Sequence, residues 1–177
     1  MTDRKRAAAK ARALLQAHNV RAAPIDVFAL AEREGIRVVR QFFEDNNISG
    51  VLVRRDDASV IGINASHHPH RQRFTLAHEL AHYVLHAQHP TVYVDDMPVH
   101  FRGEGYHPAP TTEEVEANAF AAELLMPEAL LRQDLKLGSI DALDEVAVRR
   151  LARKYGVSGQ AVTIRLSELG LVSGFGK

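Results

Sequence analysis

The segment RFTLAHELAHYVLH, residues 73–86, places His78, Glu79 and His82 in the pattern His-Glu-x-x-His within a run of helical periodicity. Side chains four residues apart lie on one face of a helix, so the two imidazoles can reach a single ion. Glu79 follows the first histidine and can lie beside the open position of such an ion, where it can accept a proton from water. Three ionisable groups among apolar neighbours are costly to bury unless a metal or a partner satisfies them. The segment therefore predicts a metal site.

The composition restricts the kind of site. The chain has 177 residues, no Cys, 10 His, and 22 basic against 22 acidic residues. The lack of Cys excludes disulfides, thiolate zinc fingers and a cysteine nucleophile, so a metal must be held by His, Asp or Glu. The balanced charge argues against a general nucleic-acid binder, and direct DNA binding is not expected. No run approaches the roughly 20 apolar residues of a membrane span, and the basic N-terminus predicts an amphipathic helix, so we expect a cytoplasmic protein.

Two histidines do not complete a metal site. His86 continues the i, i+4 series, but it lies eight residues from His78, about 12 Å along a straight helix. Three side chains of one straight helix do not easily surround a tetrahedral ion. We therefore expect His86 at the helix C-terminus, where a cation is favourable, or lining the cleft.

The acidic helix predicted over residues 113–126 is the better source of a third ligand. A Glu from this helix would complete a His₂Glu set, and Glu113, Glu114 and Glu116 all compete for that role. Glu114 shares a face with Asn118, whose amide could hydrogen-bond the outer nitrogen of a metal-bound histidine. Thr111 and Glu114 also match a capping box, which would need no metal.

In the rest of the chain, the pattern of apolar and turn residues predicts an α+β fold. Helices are expected over residues 4–18 and 25–35, strands over 36–41, 50–54 and 59–64, an irregular segment over 87–112, and a terminal helix pair over 143–154 and 160–169. Because residues 55–58 are typical of a hairpin turn, we expect a small antiparallel three-stranded sheet packed against a mainly helical domain. The predicted division is a domain over residues 1–135 and a helical extension over residues 136–177, packed on the same domain.

The two motifs together resemble the ImmA/IrrE family of zinc metallopeptidases. The resemblance covers roughly residues 10–135 and rests on RQRFTLAHELAHYVLH, residues 71–86, followed by EVEANAFAAELLMP, residues 114–127. It implies that Glu114 is the third ligand of one Zn²⁺ per chain. It also implies an endopeptidase of the thermolysin-like class. The implied substrate is a helix-turn-helix transcriptional repressor, whose cleavage relieves repression of a mobile element, a phage or a stress response.

The remaining parts of an active site are less defined by the sequence. An oxyanion or substrate contact is expected from one of six residues, Tyr83, His86, Tyr93, His100, Tyr106 and His107. The strand over residues 59–64 is predicted to offer its edge to an extended substrate. From residue 78 to 128 there are nine acidic residues and one basic residue, Arg102, which predicts an acidic cleft suited to basic substrates.

A different class of function depends on the C-terminal helix pair. Its sequence resembles a helix-turn-helix, and five basic residues could meet phosphates: Arg149, Arg150, Arg153, Lys154 and Arg165. The alternative function is therefore a metal-containing DNA-binding regulator. The pair offers few base-reading side chains, so packing beneath the catalytic domain is the favoured interpretation.

Overall fold

The computed structural model describes residues 3–54, 58–86, 92–95, 111–135, 140–141 and 144–173. The helices in these ranges are α1 (Asp3–Ala17), α2 (Val27–Arg33), α3 (Pro69–Leu85), α4 (Thr112–Leu125), α5 (Glu128–Asp134), α6 (Glu145–Tyr155) and α7 (Gly159–Glu168). The strands are β1 (Ile36–Gln41), β2 (Gly50–Val53), β3 (Ser59–Asn64), β4 (Val92–Asp95), β5 (Ile140–Asp141) and β6 (Val172–Ser173). The α+β class is confirmed.

The main sheet has the order β1-β3-β2-β4, and its pairing corrects the predicted antiparallel sheet. β2 runs antiparallel to both β3 and β4, but β1 pairs with β3 in parallel, so the sheet is mixed. The prediction assumed that strands adjacent in sequence pair with each other, as most do. Here β3 lies between β1 and β2, and the buried side chains of Ile61 and Ile63 place it at the centre.

This order also shows that the predicted substrate edge is wrong. The backbone groups of β3 are paired with β1 on one side and β2 on the other, so β3 has no edge to offer. Among the described strands of this sheet, the edges belong to β1 and β4.

Helix α3 begins at Pro69, four residues before the quoted segment of residues 73–86. Proline suits the first helical position because its ring presets φ and its missing N–H would have no partner there. The His68 side chain caps the helix by accepting a hydrogen bond from the His70 backbone N–H at 3.2 Å. The motif helix thus starts in the histidine-rich stretch of residues 67–70.

Helix α4 packs against both α1 and α3, which brings the two predicted motifs together. Its small residues Ala117 and Ala121 are fully buried, and so are Leu76 and Leu80 of α3. Full burial of one such leucine contributes roughly 1.5–3 kcal/mol. The same core continues into α6 and α7 through buried side chains that include Tyr155. The division between residues 135 and 136 stays a prediction.

None of the described helices is long and apolar enough to cross a membrane.

Candidate metal centre

Two imidazoles of α3 point to one spot inside the protein. His78 and His82 are 0% and 2% exposed, their ring centroids lie 4.7 Å apart, and their Nε2 atoms are separated by 3.0 Å. This is the placement that the i, i+4 spacing predicts. Each ring turns its Nε2 inward and its Nδ1 outward, so both can offer a lone pair to a common ion.

Glu114 of α4 joins these nitrogens. Its Oε2 lies 3.1 Å from His78 Nε2, and its Oε1 lies 3.3 Å from His82 Nε2. The ligand atoms of the three residues lie within 4.8 Å of one another, so the group could bind a metal. Ligands 2.0–2.1 Å from a tetrahedral zinc ion are about 3.3 Å apart, which is close to these separations. The donor set and its spacing therefore fit a divalent metal such as zinc.

The competing ligand Glu116 is engaged elsewhere. Its carboxylate is buried and contacts His86 at 3.0 Å and Arg6 at 3.0 Å. Thr111 caps α4, because its Oγ1 accepts a hydrogen bond from the Glu114 backbone N–H at 3.3 Å, which is the threonine half of the predicted capping box. Backbone capping and metal binding use different atoms of Glu114 and do not conflict.

The outer nitrogens of the two histidines have different partners. His78 Nδ1 lies 3.2 Å from Asn118 Oδ1, the contact expected from the i, i+4 relation of Asn118 to Glu114. His82 Nδ1 lies 3.1 Å from Nδ1 of His86. His86 is the C-cap residue of α3 and lies beneath His82, with its two ring nitrogens directed to His82 and Glu116.

Burial lowers the pKa of His82, and the hydrogen bond to the Glu114 carboxylate opposes this shift only in part. The lowered pKa favours the neutral imidazole, which is the form that binds metals. His82 thus keeps a lone pair available for a metal ion.

Glu79 is fully buried, and the backbone of β2 leaves room for it. A Cβ atom at Gly50 would lie 2.8 Å from Glu79 Oε1 and 2.6 Å from Thr75 Cγ2, closer than real Cβ contacts. Position 50 therefore has to be glycine for α3 to approach the sheet with this side chain between them. Gly50 was not among the residues expected from the sequence, because a glycine in a strand can mark a close approach but does not identify the residue that approaches it.

Arg54 is a second residue that the sequence analysis missed. Its Nη2 donates to the backbone carbonyls of Tyr83 at 3.0 Å and His86 at 3.2 Å, and also to that of His82. These carbonyls lie at the C-terminal end of α3, where the His82 carbonyl also accepts the His86 backbone N–H at 3.1 Å. Arg54 thus ties the end of the motif helix to the end of β2.

The six candidate oxyanion or substrate residues are described only in part. Tyr83 is partly buried, and its ring lies 5.0 Å from the guanidinium carbon of Arg54. His86 lies beneath His82, as stated above. Tyr93 belongs to β4, but its side chain is outside the described part of the structure, and His100, Tyr106 and His107 are outside the described residues.

The acidic excess between residues 78 and 128 is partly used inside the protein. Glu116 pairs with Arg6 of α1, while Glu123 is buried against Arg165 of α7 and lies 3.4 Å from Arg12 of α1. These two carboxylates neutralise the basic ends of the chain and do not face a substrate.

The basic residues of the C-terminal pair are similarly divided. Arg165 is 7% exposed and held by Glu123, so it does not face a phosphate backbone. Lys154 pairs with Asp134, and Arg149 pairs with Glu145 at 2.9 Å. Arg150 and Arg153 are exposed.

Comparison with known proteins gives the family. The profile of the IrrE N-terminal-like domain, Peptidase M78, matches residues 31–167 and so covers both motifs. The chain belongs to the Peptidase M78 family. This confirms the resemblance stated from the two motifs, and it places the chain in a metallopeptidase family.

A solved structure, the "Mycobacterium tuberculosis transcriptional regulator", has the fold of this Peptidase M78 chain with a TM-score of 0.58 at 18% sequence identity. The match covers 92% of this chain and 46% of the regulator, so the chain spans about half the length of that protein. No curated protein matches the sequence.

Proposed function

We propose that this chain is a zinc-dependent endopeptidase that hydrolyses a peptide bond in a helix-turn-helix transcriptional repressor. The observation that carries the proposal is the convergence of His78, His82 and Glu114 on one spot, with Glu79 buried on the same helix. A catalytic site for peptide hydrolysis needs both a metal-binding set and a general base, and membership of Peptidase M78 supports this combination.

The residues of the site have two roles, metal binding and proton transfer. His78 and His82 would hold the ion through Nε2, and Glu114 would hold it through its carboxylate. A zinc ion bound there supplies a Lewis acid that lowers the pKa of water and polarises the peptide carbonyl. Glu79 takes a proton from the attacking water and returns it to the leaving amine.

Asn118 keeps His78 in the productive form. Its Oδ1 accepts a hydrogen bond from His78 Nδ1, so that the proton of that neutral ring stays on the outer nitrogen. The Nε2 lone pair then faces the ion. The oxyanion donor is one of the six candidates named from the sequence, and β4 puts Tyr93 on an edge strand.

The choice of a repressor as substrate depends on the resemblance to the ImmA/IrrE family. A solved structure with this fold is that of a transcriptional regulator. Cleavage would relieve repression of a mobile element, a phage or a stress response. Because a repressor acts on DNA, the enzyme that cleaves it must share the compartment of the DNA. We therefore also propose a cytoplasmic location.

The second candidate function is a metal-containing regulator that binds DNA through α6 and α7. The observation in its favour is that Arg150 and Arg153 stay exposed on α6. Its weakness is the loss of Arg165 to an internal ion pair.

The deciding experiment incubates the zinc-loaded chain with the purified repressor encoded by a neighbouring gene. We expect cleavage that a chelator stops and added zinc restores. Glu79→Gln should lower the cleavage rate by about 10²–10⁴-fold, the usual contribution of general acid–base catalysis, while zinc content and fold are retained. The matched pair Glu114→Gln and Glu113→Gln tests the ligand, because only the first should weaken zinc binding.

The outcomes separate the two functions. An intact repressor after incubation with protein of full zinc content would refute the assigned substrate. Salt-dependent binding to duplex DNA that survives Glu79→Gln would support the regulator instead.

A further inference from the structure

A row of four polar side chains leads from the metal centre to the protein surface. His82 Nδ1 lies 3.1 Å from His86 Nδ1, and His86 Nε2 lies 3.0 Å from Glu116 Oε2. Glu116 Oε1 in turn accepts a hydrogen bond from Arg6 Nη2 at 3.0 Å. The first three side chains are buried, and Arg6 is 61% exposed. The row joins α3, α4 and α1.

The hydrogens along this row can be counted. A histidine that binds a metal through Nε2 carries its hydrogen on Nδ1, so His82 must donate to His86. His86 Nδ1 is then the acceptor, which puts the hydrogen of His86 on Nε2. That hydrogen faces a carboxylate oxygen of Glu116, and the other oxygen receives the guanidinium of Arg6. Each of the three contacts along the row thus pairs one hydrogen-bond donor with one acceptor.

The two metal-binding histidines are therefore supported differently. His78 Nδ1 meets the neutral amide oxygen of Asn118. His82 Nδ1 meets an imidazole that is itself held by a charged pair. Hydrogen bonds with a charged partner are roughly twice as strong as neutral ones, so Glu116 holds His86 firmly in one tautomer.

We propose that His86 is a positioning residue for the metal ligand His82, and that Glu116 and Arg6 hold His86 in the tautomer that this role requires. The inference rests on the metal site of the proposed function. His86 fixes the ring orientation of His82 and keeps the Nε2 lone pair directed at the ion. His86, which was expected from sequence either at the helix C-terminus or in the cleft, is the C-cap of α3 and acts from beneath the ligand.

The test measures the zinc affinity of the full chain by competition with a chromogenic chelator. His86→Leu should weaken zinc binding by about 10–100-fold, the usual effect of losing an outer partner of a ligand. His86→Gln retains an acceptor for His82 Nδ1 and should recover part of the loss, which a purely structural role would not explain. Glu116→Gln and Arg6→Gln should give progressively smaller losses.

His18→Leu is the matched control. His18 Nε2 lies 2.6 Å from Glu34 Oε1, so this variant also removes a histidine–glutamate pair, but one that contains no residue of the metal centre. Its zinc affinity should equal that of the unaltered chain.

Long-range ¹H–¹⁵N spectra of the zinc-loaded, unaltered chain provide a test that needs no variant to fold. His86 should carry its proton on Nε2 alone. A proton on Nδ1 of His86, or a His86→Leu variant that binds zinc within twofold of the unaltered chain, would overturn the inference and leave the proposed function intact. An unaltered chain that binds no zinc would overturn both.

Discussion

The α3–α4 pair and the α6–α7 pair are both helix pairs rich in ionisable side chains, but they place these side chains in opposite environments. On α3, His78, Glu79 and His82 are buried together, and α4 adds Glu114 to them. On α6 and α7 most charged groups lie at the surface, and the buried Arg165 is neutralised by Glu123. The side chains of the first pair could together bind a metal, whereas the buried charge of the second pair is satisfied by an ion pair within the fold. We therefore expect the first pair to bind an ion and the second pair to support the fold.

The largest effect on stability is expected from a substitution of Arg165, the buried charged residue of the α6–α7 pair. Arg165→Leu leaves Glu123 buried with only weaker partners, the more distant Arg12 and the Glu128 backbone N–H, so the free energy of unfolding should fall by about 3–5 kcal/mol. Chemical denaturation measures this loss. The zinc affinity of the folded fraction should not change, because Arg165 belongs to the supporting pair.

The double variant Glu123→Leu/Arg165→Leu is the control. Replacing both partners of a buried ion pair by apolar side chains is often neutral, so most of the stability should return. A double variant as unstable as the single one would show that the loss comes from other contacts of Arg165, such as its bond to the Met126 carbonyl, and not from the unpaired charge of Glu123.

The sequence predicted the arrangement of the α3–α4 pair better than its surroundings. The periodicity located both helices, and the i, i+4 relations placed His78 with His82 and Glu114 with Asn118 on shared helix faces. These relations are local, so they are visible in one helix at a time. The contact of His86 with Glu116, the room that Gly50 leaves for Glu79, and the bonds from Arg54 join elements far apart in the chain. They depend on packing that no local pattern specifies.

The sheet shows the same limit. The strands β1, β2 and β3 were located from their apolar residues, and the β2–β3 hairpin was predicted from its turn. The position of β3 between β1 and β2 was not predicted, because strand order depends on which faces of the sheet the helices cover. The fourth strand, β4, lies in a segment with four prolines whose composition predicts irregular structure.

The next largest effects are expected from two glycine substitutions, one at Gly50 beside the α3–α4 pair and one at Gly159 in the α6–α7 pair. Gly50→Ala forces its new methyl group against Glu79 and Thr75, so the Glu79 carboxylate must shift. We expect kcat/KM for substrate cleavage to fall about 10²-fold, as for other displacements of about 1 Å. Overpacking should also lower the free energy of unfolding by about 1–3 kcal/mol. Zinc content should stay unchanged.

Gly159→Ala on α7 is the matched substitution. A Cβ atom there would lie 3.5 Å from Val148 Cγ1, an ordinary contact, so the variant should be neutral or more stable by about 0.4–1 kcal/mol. Equal losses of activity in the two glycine variants would contradict the role given to Gly50.

The smallest effect is expected from a substitution of Arg150. This substitution tests whether α6 supports the fold or binds DNA. Arg150 is exposed, so in a supporting helix Arg150→Glu should change the free energy of unfolding by no more than about 0.5 kcal/mol and leave zinc affinity and cleavage unchanged. If α6 meets a duplex, the same change should weaken DNA binding and reduce its salt dependence by about one phosphate contact. Arg149→Glu provides the comparison, because it removes an exposed ion pair with Glu145 and costs about 0.3–0.5 kcal/mol whichever function holds. Fluorescence anisotropy of labelled duplex DNA over a range of salt concentrations distinguishes the two cases, since only phosphate contacts give a slope that a single charge reversal alters.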